Sequence, residues 1–424
     1  MSALEIIPIS HALNAAVRVP GSKSLTNRVL LIAALASGNT RLTNALFSDD
    51  TIIIAQSLKT LGFDVHLDPP QNEIRVAGLG GHIPVKKAQL YCGNAGTAAR
   101  FLTAFLTLGN GEFVLNGDER MSKRPIGDLV SALAQLGAKL EITSSNCPPV
   151  SIFAAGLTGG LTSINGDVSS QFLSGLLMVS PYAQKPVEIK VLTDLNSKPY
   201  VDLTLAVMND FGIEMEREGY RRFAIHPTKY QSQENYAIES DATAASYFFA
   251  APAICSGTVR VENITRQSEQ GDIAFLDVLQ RMGCVVTEGN DYIEVTRISE
   301  LRGVEADMRD IPDTAQTLAA IAPFASSPTH ISGIATARIK ESDRITATCT
   351  ELARLGVGVE EHLDGMTIHP CKSFQPDTIH TYNDHRMAMA FALIGLRTPG
   401  ITIENPACVS KTFPDFFDVL GTLK

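Results

Sequence analysis

No run of apolar residues in this 424-residue chain is long enough to cross a membrane. The richest stretch, Ala242 to Cys255, is alanine-heavy and interrupted by Pro252, and it reads as a buried helix. The N-terminus has no basic segment ahead of an apolar run and carries Glu5, so no secretory leader is expected there. The seven cysteines (92, 147, 255, 284, 349, 371 and 408) are scattered, odd in number and free of any Cys-x-x-Cys pair. That excludes a disulfide framework or a cysteine zinc site and predicts reduced thiols in a cytoplasmic protein. An excess of positive charge is also missing. The formal net charge is −10, which argues against wholesale binding to nucleic acid or anionic membrane but leaves room for a local cationic pocket. There is no Gly-x-Ser-x-Gly elbow and no dinucleotide fingerprint. Gly21-Ser-Lys-Ser24 is not the tail of a P-loop, because Ala16 stands where the first glycine is required. Tryptophan is missing altogether, and that bears on no class of function.

What remains is an ordinary globular composition, 45% hydrophobic and 19% charged, at a length typical of two or three domains. Its dominant feature is a period. Polar motifs that open helices are anchored at Ser24, Thr97, Ser170, Thr243, Thr314 and His385, with spacings of 73, 73, 73, 71 and 71 residues. Such a period denotes one structural unit used six times. A second series confirms it: Gly62, Gly137, Gly212, Gly283, Gly356 and Gly421 each follow an apolar residue where a helical pattern stops, as C-capping glycines do. Short apolar alternations after five of them, such as Phe63-Asp-Val65 and Ile213-Glu-Met215, read as strands. Strand-like segments between the two helices of each unit are expected at residues 40–42, 112–115, 162–164, 258–261, 329–331 and 401–403. The class is therefore α/β or α+β. Pro20-Gly21 and the polar run Tyr230–Asn235 mark breaks that leave three units on each side.

A helix start presents unpaired N–H groups and partial positive charge, and it favours anions. Taken singly, each motif is accounted for by a capped core helix or a solvated charged face. In register on the repeat, they assemble seven candidate cations: Lys23, Arg28, Arg124, Lys340, Arg344, Arg386 and Lys411. Asp313 and Glu341 add two carboxylates able to move protons. His380 is badly spaced to join His385 in a zinc site, so His385 reads as structural or anion-facing. This inventory fits a reaction between two small polyanions without a metal.

Pro20-Gly-Ser-Lys-Ser-Leu-Thr-Asn-Arg28, Gly93-Asn-Ala-Gly-Thr-Ala-Ala-Arg100, Asp384-His-Arg-Met-Ala-Met389 and Lys411-Thr-Phe-Pro414 together resemble the 5-enolpyruvylshikimate 3-phosphate synthases, in family order and over nearly the whole chain. The resemblance implies a two-lobed, inside-out α/β barrel of six βαβαββ repeats, three per lobe. The lobes would be 21–239 and 1–20 plus 240–424, joined by a double crossover near 20 and 240. It implies transfer of the enolpyruvyl group of phosphoenolpyruvate to the 5-hydroxyl of shikimate 3-phosphate by a cytoplasmic monomer without metal or cofactor. By matching motif, Lys23, Ser24, Arg28, Ser169, Ser170, Gln171, Ser197, Tyr200, Asp313 and Lys340 would hold shikimate 3-phosphate. Lys23, Asn94, Gly96, Arg124, Gln171, Arg344, Arg386 and Lys411 would hold phosphoenolpyruvate. Asp313 and Glu341, with Lys23 and Lys411, would carry the chemistry.

The chain departs from the family pattern at three places. Phe101 replaces a common proline, which predicts altered phosphoenolpyruvate affinity and altered sensitivity to glyphosate, a competitor at that pocket in the family. Thr336 stands where asparagine is common, and Ala99 replaces a frequent methionine. Two rivals are weaker. The related UDP-N-acetylglucosamine enolpyruvyl transferases use a loop cysteine, and none lies between Gly93 and Pro125. A six-unit scaffold or nucleic-acid clamp is opposed by the net charge and by the Asp313 and Glu341 carboxylates.

Overall fold

In the computed structural model, which describes residues 3–424, the chain folds as two compact units. One is Gly21–Ile238; the other combines the residues up to Pro20 with Glu239–Lys424. Each unit has its own hydrophobic core.

The unit Gly21–Ile238 contains three four-stranded sheets of one design. In the second, Lys87–Tyr91 runs parallel to Asn110–Asn116, which pairs antiparallel with Val150–Ala155, itself antiparallel to Lys139–Ile142. The parallel pair demands a crossover, and the helix Gly96–Leu106 supplies it. Every residue of that helix is buried, as is all of Ser170–Val179 except Gln171, and Lys23–Leu35 is buried from Leu25 onward. Beyond their polar starts these inner helices are mostly apolar, because little of their surface meets water, and Arg28 and Arg100 are the charged residues buried among them. The second helix of each repeat is amphipathic: Asp49–Thr60 buries Thr51, Ile54, Ala55 and Leu58 at helical spacing. In the first sheet the opening strand comes from the far end of the unit, Asn235–Ala237, lying parallel to Ser37–Thr43.

The other unit repeats the design. Leu13–Arg18 opens the sheet that continues with Gly257–Glu262, Tyr292–Arg297 and Val285–Glu288. Glu305–Asp307 opens the next, with Thr329–Ser332, Gly365–Ile368 and Val359–His362. The inner helices Ala242–Cys255, Ala315–Ile321 and His385–Gly395 are buried at every position and pack on one another.

All six anchors stand at helix starts, although Thr314 closes a 3₁₀ turn, Pro312–Thr314, ahead of its helix. Five of the capping glycines have φ between 80° and 102°, the left-handed region that glycine enters without strain. Gly421 does not: it is the last residue of the helix Phe416–Gly421.

Two other expectations are corrected. Residues 162–164 lie in Gly160–Ile164, the strand before the third inner helix, and the segment between the two helices is Val187–Val191. Their apolar alternation is the same, so pattern alone placed the wrong one. The sixth sheet has three strands, with Ala3–Glu5 from the N-terminal region taking the place beside Thr402–Glu404 that a hairpin strand fills elsewhere.

Candidate active-site residues

In Gly21–Ile238 the candidate residues cluster at helix starts. Ser22 caps the first inner helix by accepting from Leu25 N at 3.3 Å. Lys23 follows, its Nζ 3.7 Å from Asp50 Oδ2, with both side chains largely shielded from water. One turn on, Arg28 donates from Nε to Thr204 Oγ1 at 2.8 Å, from Nη1 to the Ser24 carbonyl at 2.9 Å, and from Nη2 to the Tyr200 carbonyl at 2.9 Å and Ser174 Oγ at 3.5 Å. It thereby ties the first and third inner helices to the helix Lys198–Asp210. Burial lowers its guanidinium to about 10. Ser197, at φ 57°, turns the chain into Lys198–Asp210, and its carbonyl accepts from Tyr200 N at 3.1 Å.

The second start is built around arginines. Arg124 Nη1 donates to the Asn94 carbonyl at 2.9 Å and to Asn94 Oδ1 at 3.0 Å. Arg100 donates to the Gly96 carbonyl at 3.1 Å and the Pro125 carbonyl at 2.9 Å. A Cβ at Gly96 would lie 2.4 Å from Arg124 Nη2 and 2.8 Å from Arg100 Nη1, so a larger residue would push these guanidinium groups from their present positions. Ala95, at the N-cap, offers no side-chain acceptor. Gln171 Nε2 donates to Thr97 Oγ1 at 3.2 Å, linking the second and third starts, and Ser169 Oγ accepts from Gln171 N at 3.3 Å beside the buried Ser170.

In the other unit the candidates form one network of charge. Arg344 donates to Asp313 at 3.0 Å, Glu341 at 2.8 Å and Asp384 at 2.8 Å. Burial works to lower the Arg344 guanidinium, but the carboxylates of Asp384, Glu341 and Asp313 outweigh it and hold it above the ordinary arginine range. Arg386 Nη2 donates to the other oxygen of Asp313 at 2.7 Å, and Arg386 Nη1 reaches Tyr247 Oη at 3.4 Å. Burial pushes Tyr247 up to about 12 against the pull of Arg386. Lys340 follows the 3₁₀ turn Ala335–Ile339, half-buried, and Lys411, 8% exposed, ends the turn Pro406–Lys411. Asp313 keeps 18% of its side chain open to solvent and Glu341 8%. Thr336 is half-buried in the same turn that precedes Lys340.

Sequence reading left three residues without a role that the geometry gives them. Asp384, fully buried, caps Arg386 N at 3.0 Å, accepts from Ser342 Oγ at 2.9 Å and grips Arg344. Its place just before His385 was the available signal, since aspartate is a preferred N-cap. Asp50 and Tyr247 had no local signal. The fourth helix start is occupied by structural contacts: Asp241 caps Ala244 N at 2.9 Å and Thr243 donates to Asp272 at 2.6 Å. His385 is 1% exposed, within the buried inner helix. Among the described residues no group of three or more His, Cys, Asp or Glu is arranged to hold a metal ion, and no helix is long and apolar enough to cross a membrane.

The model of the family described as EPSP synthase (3-phosphoshikimate 1-carboxyvinyltransferase) matches residues 7–420. The chain belongs to the EPSP synthase family. A 3-phosphoshikimate 1-carboxyvinyltransferase of Trichormus variabilis is 48% identical, covering 98% of each chain, and one of Marinomonas is 46% identical over 100% of both. The solved EPSP synthase of Acinetobacter baumannii superposes with a TM-score of 0.83 at 27% identity, covering 99% of this chain and 98% of that one. The enolpyruvyl transferase NikO of Streptomyces tendae shares the fold, with a TM-score of 0.79 at 20% identity and coverage of 99% and 97%.

Proposed function

We propose that this EPSP synthase family member transfers the enolpyruvyl group of phosphoenolpyruvate to the 5-hydroxyl of shikimate 3-phosphate, releasing phosphate in the pathway to chorismate. The observation that carries the reading is the family match across residues 7–420, joined to cationic helix starts at the matching motifs. Lys23, Ser24, Arg28, Ser169, Ser170, Gln171, Ser197 and Tyr200 of one unit, with Asp313 and Lys340 of the other, bind shikimate 3-phosphate. Lys23, Asn94, Gly96, Arg124 and Gln171, with Arg344, Arg386 and Lys411, bind phosphoenolpyruvate. The two units are the two lobes of the enzyme, which acts as a monomer in the cytoplasm.

Asp313 takes the proton of the 5-hydroxyl as its oxygen attacks C2 of phosphoenolpyruvate, and Glu341 delivers a proton to the methylene carbon, giving a tetrahedral ketal. The bond between C2 and the phosphate oxygen then breaks, the departing phosphate takes the proton held by Asp313, a methyl proton returns to Glu341, and the enol ether forms. Positive charge grows beside the ether oxygen while phosphate departs as an anion, so Lys23, Arg124, Arg344, Arg386 and Lys411 favour the step most where charge develops. Asp313 already faces two arginines, at 3.0 and 2.7 Å. Incoming phosphate and carboxylate groups compete for those guanidinium groups and leave Asp313 less neutralised and more basic.

The test is direct: mix the protein with phosphoenolpyruvate and shikimate 3-phosphate at neutral pH and measure released phosphate. Stoichiometric release dependent on both substrates is expected. Folded protein that releases none refutes the reading. Sedimentation at a single protomer mass checks the monomer.

A further inference from the structure

Among the described residues no carboxylate pairs with the buried Arg28, and the one titratable group that acts on it is the Tyr200 phenol. It is 2% exposed, and its four hydrogen-bond acceptors are two hydroxyls and two carbonyls, all neutral. Arg344 is the contrast, with three carboxylates against its guanidinium. The bonds of Arg28 use four of the five N–H groups of an arginine and leave one, on Nη1. What faces the Arg28 guanidinium instead of an anion is the ring of Phe101, its centroid 5.2 Å from Cζ. The ring is itself 1% exposed, and its Cδ1 lies 3.7 Å from where a Cβ at Gly175 of the third inner helix would stand.

An aromatic face carries negative charge density and attracts a cation more strongly once water is excluded. A carboxylate in that place would neutralise Arg28 and compete with an anionic ligand. An aliphatic side chain would fill the space and balance nothing. We propose that Phe101 is a positioning residue for shikimate 3-phosphate, holding the Arg28 guanidinium ready for an anionic group of that substrate without supplying a rival anion. The inference rests on the assignment of Arg28 to shikimate 3-phosphate in the proposed function. The residue pattern directed the effect of Phe101 towards phosphoenolpyruvate; the ring's contact with Arg28 directs it to the other substrate.

Phenylalanine carrying one, two and three ring fluorines at position 101 weakens the ring's attraction for a cation stepwise at nearly constant size. The KM for shikimate 3-phosphate rises with each fluorine, by roughly 3- to 30-fold across the series, while kcat and the KM for phosphoenolpyruvate hold. Phe101→Leu reproduces the end of the series and Phe101→Tyr restores the parent constant. A flat series, or an equal rise in both KM values, overturns the proposal, and the fluorinated proteins decide it even where Phe101→Leu fails to fold. The unsubstituted enzyme is assayed in parallel. Phosphate release with a flat series defeats this inference alone, whereas no release from folded parent protein defeats the proposed function and this inference with it.

Discussion

Asp384→Asn is the most informative single change in the charged network of Glu239–Lys424. Asp384 is fully buried and meets Arg344 through both oxygens, at 2.8 and 3.3 Å, with 4% of the arginine side chain exposed. Removing one member of a buried ion pair costs about 3–5 kcal/mol, because the other charge is left uncompensated. Asparagine keeps an oxygen for Arg386 N or Ser342, and Arg344 keeps Asp313 and Glu341. The loss therefore falls near the lower end, about 3 kcal/mol. For a unit of this size that lowers the melting temperature by roughly 6–12 °C, at 2–4 °C per kcal/mol. Freed on one side, Arg344 loses its fixed direction, so the KM for phosphoenolpyruvate rises more than that for shikimate 3-phosphate. Scanning calorimetry and steady-state kinetics read the two effects. Glu294→Gln, which breaks the partly exposed Arg260–Glu294 pair at 3.1 Å, is the control and costs no more than about 1 kcal/mol. If Asp384→Asn melts and turns over like that control, the Asp384 pair does not organise the site.

Asp313→Asn and Glu341→Gln should each cut turnover by roughly 10²–10⁴-fold in a phosphate-release assay; near-normal rates would return both to charge balance. Gly96→Ala places a methyl 2.4 Å from Arg124 Nη2, so calorimetric titration should show weakened phosphoenolpyruvate binding with shikimate 3-phosphate binding preserved. Burial pushes the thiols of Cys92, Cys349 and Cys408 up to about 12, and those of Cys255 and Cys284 up to about 11. Thiolate is the reactive form, so iodoacetamide at pH 8 should spare these five in the native protein and label them after denaturation, as mass spectrometry would show. Labelling that rises only above about pH 11 has the correct sign; native labelling at pH 8 refutes it.

The parts of the fold that were legible in the sequence depend on local chemistry. An N-cap, a glycine at positive φ and a run of apolar residues are each decided within a few residues, so the six helix starts and five of the capping glycines could be read directly. Residues 162–164 and 187–191 share one alternating pattern, and only the pairing of Gly160–Ile164 with Val187–Val191 tells the strand before the helix from the strand after it. The cations of the candidate site were visible because they recur in register. Their partners were not: Asp384 and Arg344 are 40 residues apart in sequence, and Arg386 and Tyr247 are 139 apart. Such pairs exist only once the inner helices have packed. Phe101 shows the same limit, since its contact with Arg28 joins two helices that sequence reading treats separately.

The first sheet of each unit borrows a strand from a distant part of the chain, and this bears on how the protein is made. Asn235–Ala237 returns to Ser37–Thr43, so Gly21–Ile238 is complete once its own last strand has emerged. Leu13–Arg18 has no such early partner. Its neighbour, Gly257–Glu262, is synthesised 244 residues later. At about 5–20 residues per second of translation, the nascent strand waits roughly 12–50 s with neither edge paired. During that interval the whole of Gly21–Ile238 can be made and can fold. The strand carries the polar Asn14 and, at its last position, the charged Arg18, and charge on an open edge discourages pairing with the wrong chain. Ribosome profiling with proteolysis of stalled chains would find Gly21–Ile238 protected while the preceding strand is still cut.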